Sequence, residues 1–171
     1  GYSLNQFEAV AVSIGPGSYT GLRVGLAAAK GLCYALDIPL IAVSTLEIMA
    51  WAVKEEATGL ICPLIDARRM EVFTAIYDKE LKEISFPAAM IVEETSFASL
   101  LKKQPILFCG NGRKKLEALI SNTNAQFTDT SPDASALAQL SYNHFQLKKF
   151  ANLAYSEPLY LKEFYSPQRK E

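Results

Sequence analysis

Two apolar runs, FEAVAVS at 7–13 and IPLIAVS at 38–44, alternate with two helix-like stretches near the start of the chain. The stretch at 19–36 is rich in Leu and Ala, and the second stretch occupies 45–54. Continuous apolar strands that are separated by helices are typical of a parallel sheet covered by helices. The hydrophobic pattern therefore predicts the order β-α-β-α for residues 1–56.

The pattern changes after residue 56. Residues 60–66 and 71–78 form two apolar runs, and the short connection between them requires an antiparallel hairpin. A third strand is expected within 81–92, where Pro87 marks an edge or a bulge. The remaining predicted elements are helices at 94–102, 113–121 and 133–148 and strands at 105–109 and 125–128. The order predicted for the second part, residues 57–171, is therefore βββ-α-β-α-β-α.

The two parts resemble copies of one unit. The first part matches the second if the opening βββ-α is removed, and glycine loops at 15–17 and 110–112 each follow a strand and precede a helix. Such self-similarity indicates a duplicated fold. We expect a first lobe at 1–56 that lacks its N-terminal βββα, roughly 50 to 60 residues by ordinary element lengths, and a second lobe at 57–171. Two unrelated α/β segments are the alternative.

The first glycine loop has features of an anion site. Gly15 and Gly17 permit unusual backbone angles, and Ser18 or Thr20 could cap the helix that follows. A strand, a glycine turn and a helix N-terminus together can bind phosphate. However, both the P-loop motif and the GxGxxG motif require glycine at position 20, where this chain has Thr20. A tight turn needed only for packing is the equally weighted alternative.

The helix predicted at 19–36 is apolar almost all round, since Arg23 and Lys30 are its only charged residues. A helix of this kind is buried on more than one side. One face covers the sheet, and the other meets either the absent helix of the first copy or a second protein. We predict a partner interface made by the following residues of this helix: Tyr19, Leu22, Arg23, Leu26, Ala29 and Lys30.

Composition narrows the classes of function. The formal net charge of −1 is unlike that of proteins that grip nucleic acid alone, so contact with RNA is expected to be indirect or local. Four basic residues near the end of the chain could form a local basic patch: Lys148, Lys149, Arg169 and Lys170. The alternative is a solvated helix end and a frayed tail. No stretch reaches about 18 uninterrupted apolar residues, so no membrane span is expected. The first residues lack the features of a signal peptide.

Cysteine and histidine usage argues against metal chemistry. The chain has three cysteines, Cys33, Cys62 and Cys109, without CxxC spacing, which argues against a disulfide framework and a zinc site and fits a reducing cytoplasm. Its single histidine, His144, cannot form a His-x-x-x-His metal pair and has no nucleophile motif to serve. We therefore predict no catalytic residue and no metal ligand in this chain.

GPGSYTGLRVGLAAAKGLCYAL at 15–36, followed by IPLIAVSTLEIMA at 38–50, resembles the signature of the TsaB (YeaZ) family. Further segments at 66–72, 110–112 and 158–161 resemble that family's other motifs. The resemblance implies an α/β fold of the duplicated actin, Hsp70 and sugar-kinase type, which is ribonuclease H-like. It also implies a cytoplasmic, non-catalytic subunit.

The same resemblance implies partners and a process. The subunit is expected to heterodimerise with TsaD, to work with TsaE, and to support transfer of a threonylcarbamoyl group to the tRNA adenosine beside the anticodon. ATP and a metal are expected on TsaD and no cofactor on this chain alone, with tRNA contacted only indirectly. Formation of a homodimer is expected to be possible when TsaD is absent.

Asp66 is the best carboxylate for an enzyme of this superfamily. In its kinases, an Asp followed two positions later by Gly lets phosphate approach a hairpin turn, but Arg68 stands at that position here. We predict a degenerate ATP site, with the Arg68-Arg69 pair either exposed or in contact with the partner or its nucleotide. The residues predicted to contact a nucleotide or the partner are Gly15, Gly17, Ser18, Thr20, Asp66, Arg68 and Arg69. The rival hypothesis is an active small-molecule kinase or a glycoprotease-like peptidase.

Overall fold

The computed structural model describes residue 1 and residues 3–162, so Arg169 and Lys170 of the predicted basic patch lie outside the described residues. The first part of the chain has the predicted order β-α-β-α. Its elements are β1 (Val10–Gly15), α1 (Tyr19–Leu36), β2 (Leu40–Ser44) and α2 (Thr45–Val53). The first strand begins three residues later than predicted from the run at 7–13, because its pairing with β2 starts at Val10, opposite Leu40.

The second part has the predicted order βββ-α-β-α-β-α. Its elements are β3 (Leu60–Asp66), β4 (Glu71–Tyr77), β5 (Glu83–Ile91), α3 (Ala98–Leu101), β6 (Ile106–Cys109), α4 (Arg113–Glu117), β7 (Ala125–Thr128) and α5 (Ala134–Gln146). The predictions of longer helices at 94–102 and 113–121 were wrong. Helix α3 starts late because Phe97, which precedes it, adopts a left-handed backbone with φ of 62°.

The strands form two sheets. Strands β1 and β2 pair in parallel, and the larger sheet has the order β5-β4-β3-β6-β7. Strand β3 pairs with β4 in the predicted antiparallel hairpin and with β6 in parallel. Strand β5 lies at the edge, and its register shifts beside Pro87, as the sequence predicted: Ala88 pairs with Thr74, whereas Ser85 pairs with Ile76.

Helices cover both faces of the β1–β2 pair. Leu26 of α1 packs with Val10 and Val12 on one face. On the other face Leu140 of α5 packs with Ile41. Helix α5 thus comes from the second part of the chain but packs on strands of the first part, and the division into lobes at residue 56 stays a prediction.

The described cysteines are free and buried, as expected of small apolar side chains. Burial raises the pKa of Cys62 to about 12, so its thiol is protonated at neutral pH. The described part of the chain contains no helix long and apolar enough to cross a membrane.

Candidate functional site at the glycine turns and helix α1

The first glycine turn packs against two neighbouring segments. Gly15 has φ of 116°, and a Cβ on it would lie 2.9 Å from both the Leu159 carbonyl oxygen and Leu22 Cδ1. This position therefore requires glycine for conformation and for space. Ser18 caps α1, since its Oγ accepts a 3.3 Å hydrogen bond from the Gly21 N–H, whereas Thr20 lies within the first turn.

The second glycine turn repeats the first. Gly110 follows β6 with φ of 95°, as Gly15 ends β1 with φ of 116°. The Gly112 N–H donates to the Leu64 carbonyl of the parallel strand β3 at 2.9 Å. Among the described residues, β1 has no strand in the place that β3 takes beside β6. The two turns therefore correspond in backbone conformation, and the predicted division into two copies stays a prediction.

The cleft between the two turns is small. A cavity of about 190 Å³ lies between Gly17 of the first turn and Asn111 of the second, and Met49 and Pro132 line it. Sites for drug-sized ligands usually measure about 300 to 1,000 Å³. This cavity is therefore smaller than the usual size of such a site.

Asp66 is held by its neighbours at the end of β3. Its Oδ1 accepts hydrogen bonds from Lys115 Nζ at 2.8 Å and from the Arg68 N–H at 2.7 Å. The bond from Lys115 is the main reason that the pKa of Asp66 lies below its ordinary value, and the Arg68 N–H adds to it. The Asp66 N–H in turn donates to Asn111 Oδ1 at 2.9 Å. One oxygen of this partly exposed carboxylate, Oδ1, thus accepts two hydrogen bonds from within the chain.

The β3–β4 turn presents two arginines in a conformation that favours glycine. Arg68 has φ of 70° and Arg69 has φ of 48°, and both residues are exposed. Arg68 is the residue that the sequence analysis placed where a phosphate-binding turn has glycine, and its role in the site stays a prediction. The sequence did not identify Lys115, because no local pattern links a helical lysine to a carboxylate 49 residues away.

Helix α1 shows which predicted interface residues are accessible. Leu26 and Ala29 were predicted to face a partner, but they are only 4% and 5% exposed because they pack on the β1–β2 pair. Their placement is therefore corrected to the core. The outward side of α1 instead carries exposed apolar residues, among them Val24 at 64% and Tyr34 at 84% exposure.

The other predicted interface residues contact segments of the same chain. Leu22 is half-buried against the glycine turn. Arg23 Nε donates to the Tyr160 hydroxyl at 2.8 Å, and the ring of Tyr19 stacks on that of Tyr160 with centroids 4.9 Å apart. Lys30 Nζ donates to two backbone carbonyls of the C-terminal segment, at 3.1 and 3.2 Å. Sequence reasoning missed Tyr160 as a member of this site.

His144 links two helices. Its Nε2 lies 3.4 Å from Glu47 Oε1, which links α5 to α2. Burial raises the pKa of Glu47, and the nearby His144 opposes that shift. The described residues contain no group of three or more His, Cys, Asp or Glu side chains arranged to hold a metal. Lys148 and Lys149 of the predicted basic patch are exposed just beyond α5.

Strand, glycine turn and helix, repeated on two sheets, are features of α/β proteins of the duplicated actin and sugar-kinase class. The family model described as TsaD, tRNA N6-adenosine threonylcarbamoyltransferase, matches residues 1–163. The chain belongs to this family, and its curated relatives and structural neighbours place it in the TsaB (YeaZ) branch.

Two of the solved structures that match are from Pseudomonas aeruginosa. One is described as an uncharacterized protein with similarity to peptidase YEAZ, and it has a TM-score of 0.81 at 26% identity. The match covers 94% of this chain and 76% of that protein's chain. Another, YeaZ, has a TM-score of 0.77 at 26% identity and covers 93% and 76%. The predicted fold class is thereby confirmed.

Curated relatives carry the name tRNA threonylcarbamoyladenosine biosynthesis protein TsaB. The Bacillus subtilis protein is 42% identical over 105 residues, which are 60% of this chain and 45% of that protein. The Buchnera aphidicola protein is 29% identical over 171 residues, covering 94% and 76%. The matched region also spans only 35% of the Escherichia coli relative and 31% of the Haemophilus influenzae relative.

Proposed function

We propose that this chain is a non-catalytic subunit in the biosynthesis of tRNA threonylcarbamoyladenosine. It heterodimerises with TsaD, works with TsaE, and supports transfer of the threonylcarbamoyl group to the adenosine beside the anticodon. The names of the TsaB relatives support the pathway. The description of the matching family model supports the kinship with the transferase subunit.

The contacts of Asp66 carry the non-catalytic part of the proposal. A carboxylate that serves catalysis must reach a substrate, a metal or a reacting proton. Here Lys115 and the Arg68 N–H already bind the Asp66 carboxylate, and the large Arg68 side chain stands where glycine would let phosphate approach. In this proposal, ATP and the metal therefore bind to TsaD. This chain contributes a surface for binding but no catalytic group.

The outward face of α1 supports a role in assembly. Val24, Leu32 and Tyr34 are exposed on this helix, and an exposed apolar surface of this kind marks protein interaction sites. Tyr19, Arg23 and Lys30 border the same face and stay predicted partner contacts. When TsaD is absent, the same face supports a homodimer. Contact with tRNA is indirect in this proposal, in keeping with the net charge of −1.

Assays of the isolated 171-residue chain separate this proposal from an active kinase or peptidase. We expect no hydrolysis of ATP and no cleavage of a casein substrate above a buffer blank. Asp66→Ala is the matched variant, since it removes the best carboxylate. Robust turnover by the chain that Asp66→Ala abolishes would contradict the non-catalytic assignment.

A further inference from the structure

Two tyrosine rings enclose the guanidinium of Arg23. Its Nε donates to the Tyr160 hydroxyl at 2.8 Å, and its Cζ lies 4.0 Å from the centroid of the Tyr19 ring and 5.8 Å from that of Tyr160. Stacking and a directed hydrogen bond together restrict the rotamers of a long side chain. Arg23 is exposed, and these contacts restrict its orientation.

Tyr160 is itself fixed by the segment that carries it. The Leu159 N–H donates to the Ile14 carbonyl at 2.7 Å, beside the glycine turn. Earlier in the same segment, Lys30 Nζ binds the carbonyls of Ala154 and Ser156. Residues 150–162 therefore lie along α1 and bring Tyr160 to the level of Arg23, independently of the tyrosine hydroxyl.

The charge of Arg23 is not neutralised within the described residues. None of the ion pairs formed there involves Arg23, and the first turn of α1 contains no acidic residue. A guanidinium has five N–H donors, and two tyrosine hydroxyls cannot use them all. The remaining donors form a planar fork that matches a carboxylate or a phosphate.

The surroundings of Arg23 favour a protein carboxylate over RNA. The neighbouring surface of α1 is apolar, with Val24 exposed one residue away. An isolated cation on an apolar face of a chain with net charge −1 is unlike the basic tracts that bind a phosphate backbone. Such a cation does match an interface in which an arginine becomes buried on binding and pairs with one acidic residue of the partner.

We propose that Tyr160 is a positioning residue that holds Arg23 so that its guanidinium binds a carboxylate on the protein subunit covering α1. The inference rests on the function proposed above, since that function supplies the subunit. Arg23 then contributes affinity because its side-chain entropy is already lost before binding. Tyr160 acts only through Arg23.

Titration calorimetry with purified TsaD tests the inference. We expect Arg23→Gln to weaken binding at least about tenfold, and Arg23→Lys to weaken it severalfold, because lysine keeps the charge but lacks the fork. Tyr160→Phe keeps the ring and removes the acceptor, and we expect it to weaken binding about threefold or more. Lys79→Gln, at another exposed cation, is the control that should bind like the wild type.

Salt dependence and thermal melting distinguish positioning from a merely structural role. Binding by the wild type should weaken as salt rises, and Arg23→Gln should show a smaller salt dependence. A structural role for Tyr160 would lower the melting temperature of Tyr160→Phe without changing the salt dependence of binding.

Two results would overturn the inference while leaving the proposed function intact. One is wild-type affinity and salt dependence in Arg23→Gln. The other is loss of tRNA binding in Arg23→Gln with unchanged TsaD binding. If the wild-type chain fails to bind TsaD at all, the proposed function fails as well.

Discussion

Lys115 on α4 reaches back to Asp66 at the end of β3 and places its ammonium 2.8 Å from the carboxylate. This bond lowers the pKa of Asp66 in the folded protein. A carboxyl whose folded pKa is lowered stabilises the fold above its unfolded pKa of about 3.9, and that stability is lost as pH falls through the folded pKa. The ion pair therefore stabilises the hairpin end at neutral pH and loses this effect in acid.

We predict that Asp66→Asn lowers the free energy of unfolding by about 0.2–1 kcal/mol at pH 7, since the carboxylate is partly exposed. The loss should be smaller at pH 2, because the wild-type carboxyl also becomes protonated as pH falls through its folded pKa. Urea denaturation at both pH values measures this. Lys115→Met is the control. In the Lys115→Met variant, Asp66→Asn should lower the free energy of unfolding at pH 7 by a smaller amount than in the wild type. An equal loss at both pH values would show that the pair contributes no charge-dependent stability.

The two sides of α1 should respond differently to truncation. Leu26 is 4% exposed and packs on β1, so Leu26→Ala should lower the free energy of unfolding by about 2–5 kcal/mol. Val24 is 64% exposed, so Val24→Ala should change it by less than about 0.5 kcal/mol. Chemical denaturation of both variants checks this. Similar losses in the two variants would mean that the outward face of α1 is also part of the core.

The open side of β1 should be visible in hydrogen exchange. The Val10 N–H donates to the Pro39 carbonyl at 3.1 Å, so Val10 and Val12 turn their amides toward β2. Because amides alternate along a strand, those of Ala11 and Ser13 face the edge that has no strand among the described residues. We predict faster exchange at Ala11 and Ser13 than at Val10 and Val12. Equal protection of all four amides, measured by NMR, would show that this edge is covered.

The order of elements could be predicted from sequence because it depends on local information. Apolar runs, the short turn before β4 and Pro87 each act over a few residues, and all were confirmed. The orientation of α1 could not be predicted in the same way. In a helix that is apolar all round, no difference in polarity shows whether Leu26 or Val24 is buried. Only the packing of the helix on β1 and β2 determines that Leu26 is the buried residue.

The site itself was predicted only in part. The glycine turn, Arg23 and Arg68 were identified from motif residues that adjoin one another in sequence. Their contacts with Lys115 and Tyr160 join segments that are 49 and 137 residues apart. Such pairs are set by the tertiary fold, so no periodicity or spacing in the sequence reveals them.

Reconstitution of tRNA modification tests the central claim most directly. Purified TsaD and TsaE would be incubated with unmodified tRNA, a threonylcarbamoyl donor and ATP, with and without the 171-residue chain, and threonylcarbamoyladenosine would be quantified by mass spectrometry. We predict that modification requires the chain and that Asp66→Ala supports it as well as the wild type does. Modification that proceeds equally without the chain, or that Asp66→Ala abolishes while the variant still binds TsaD, would contradict a non-catalytic subunit.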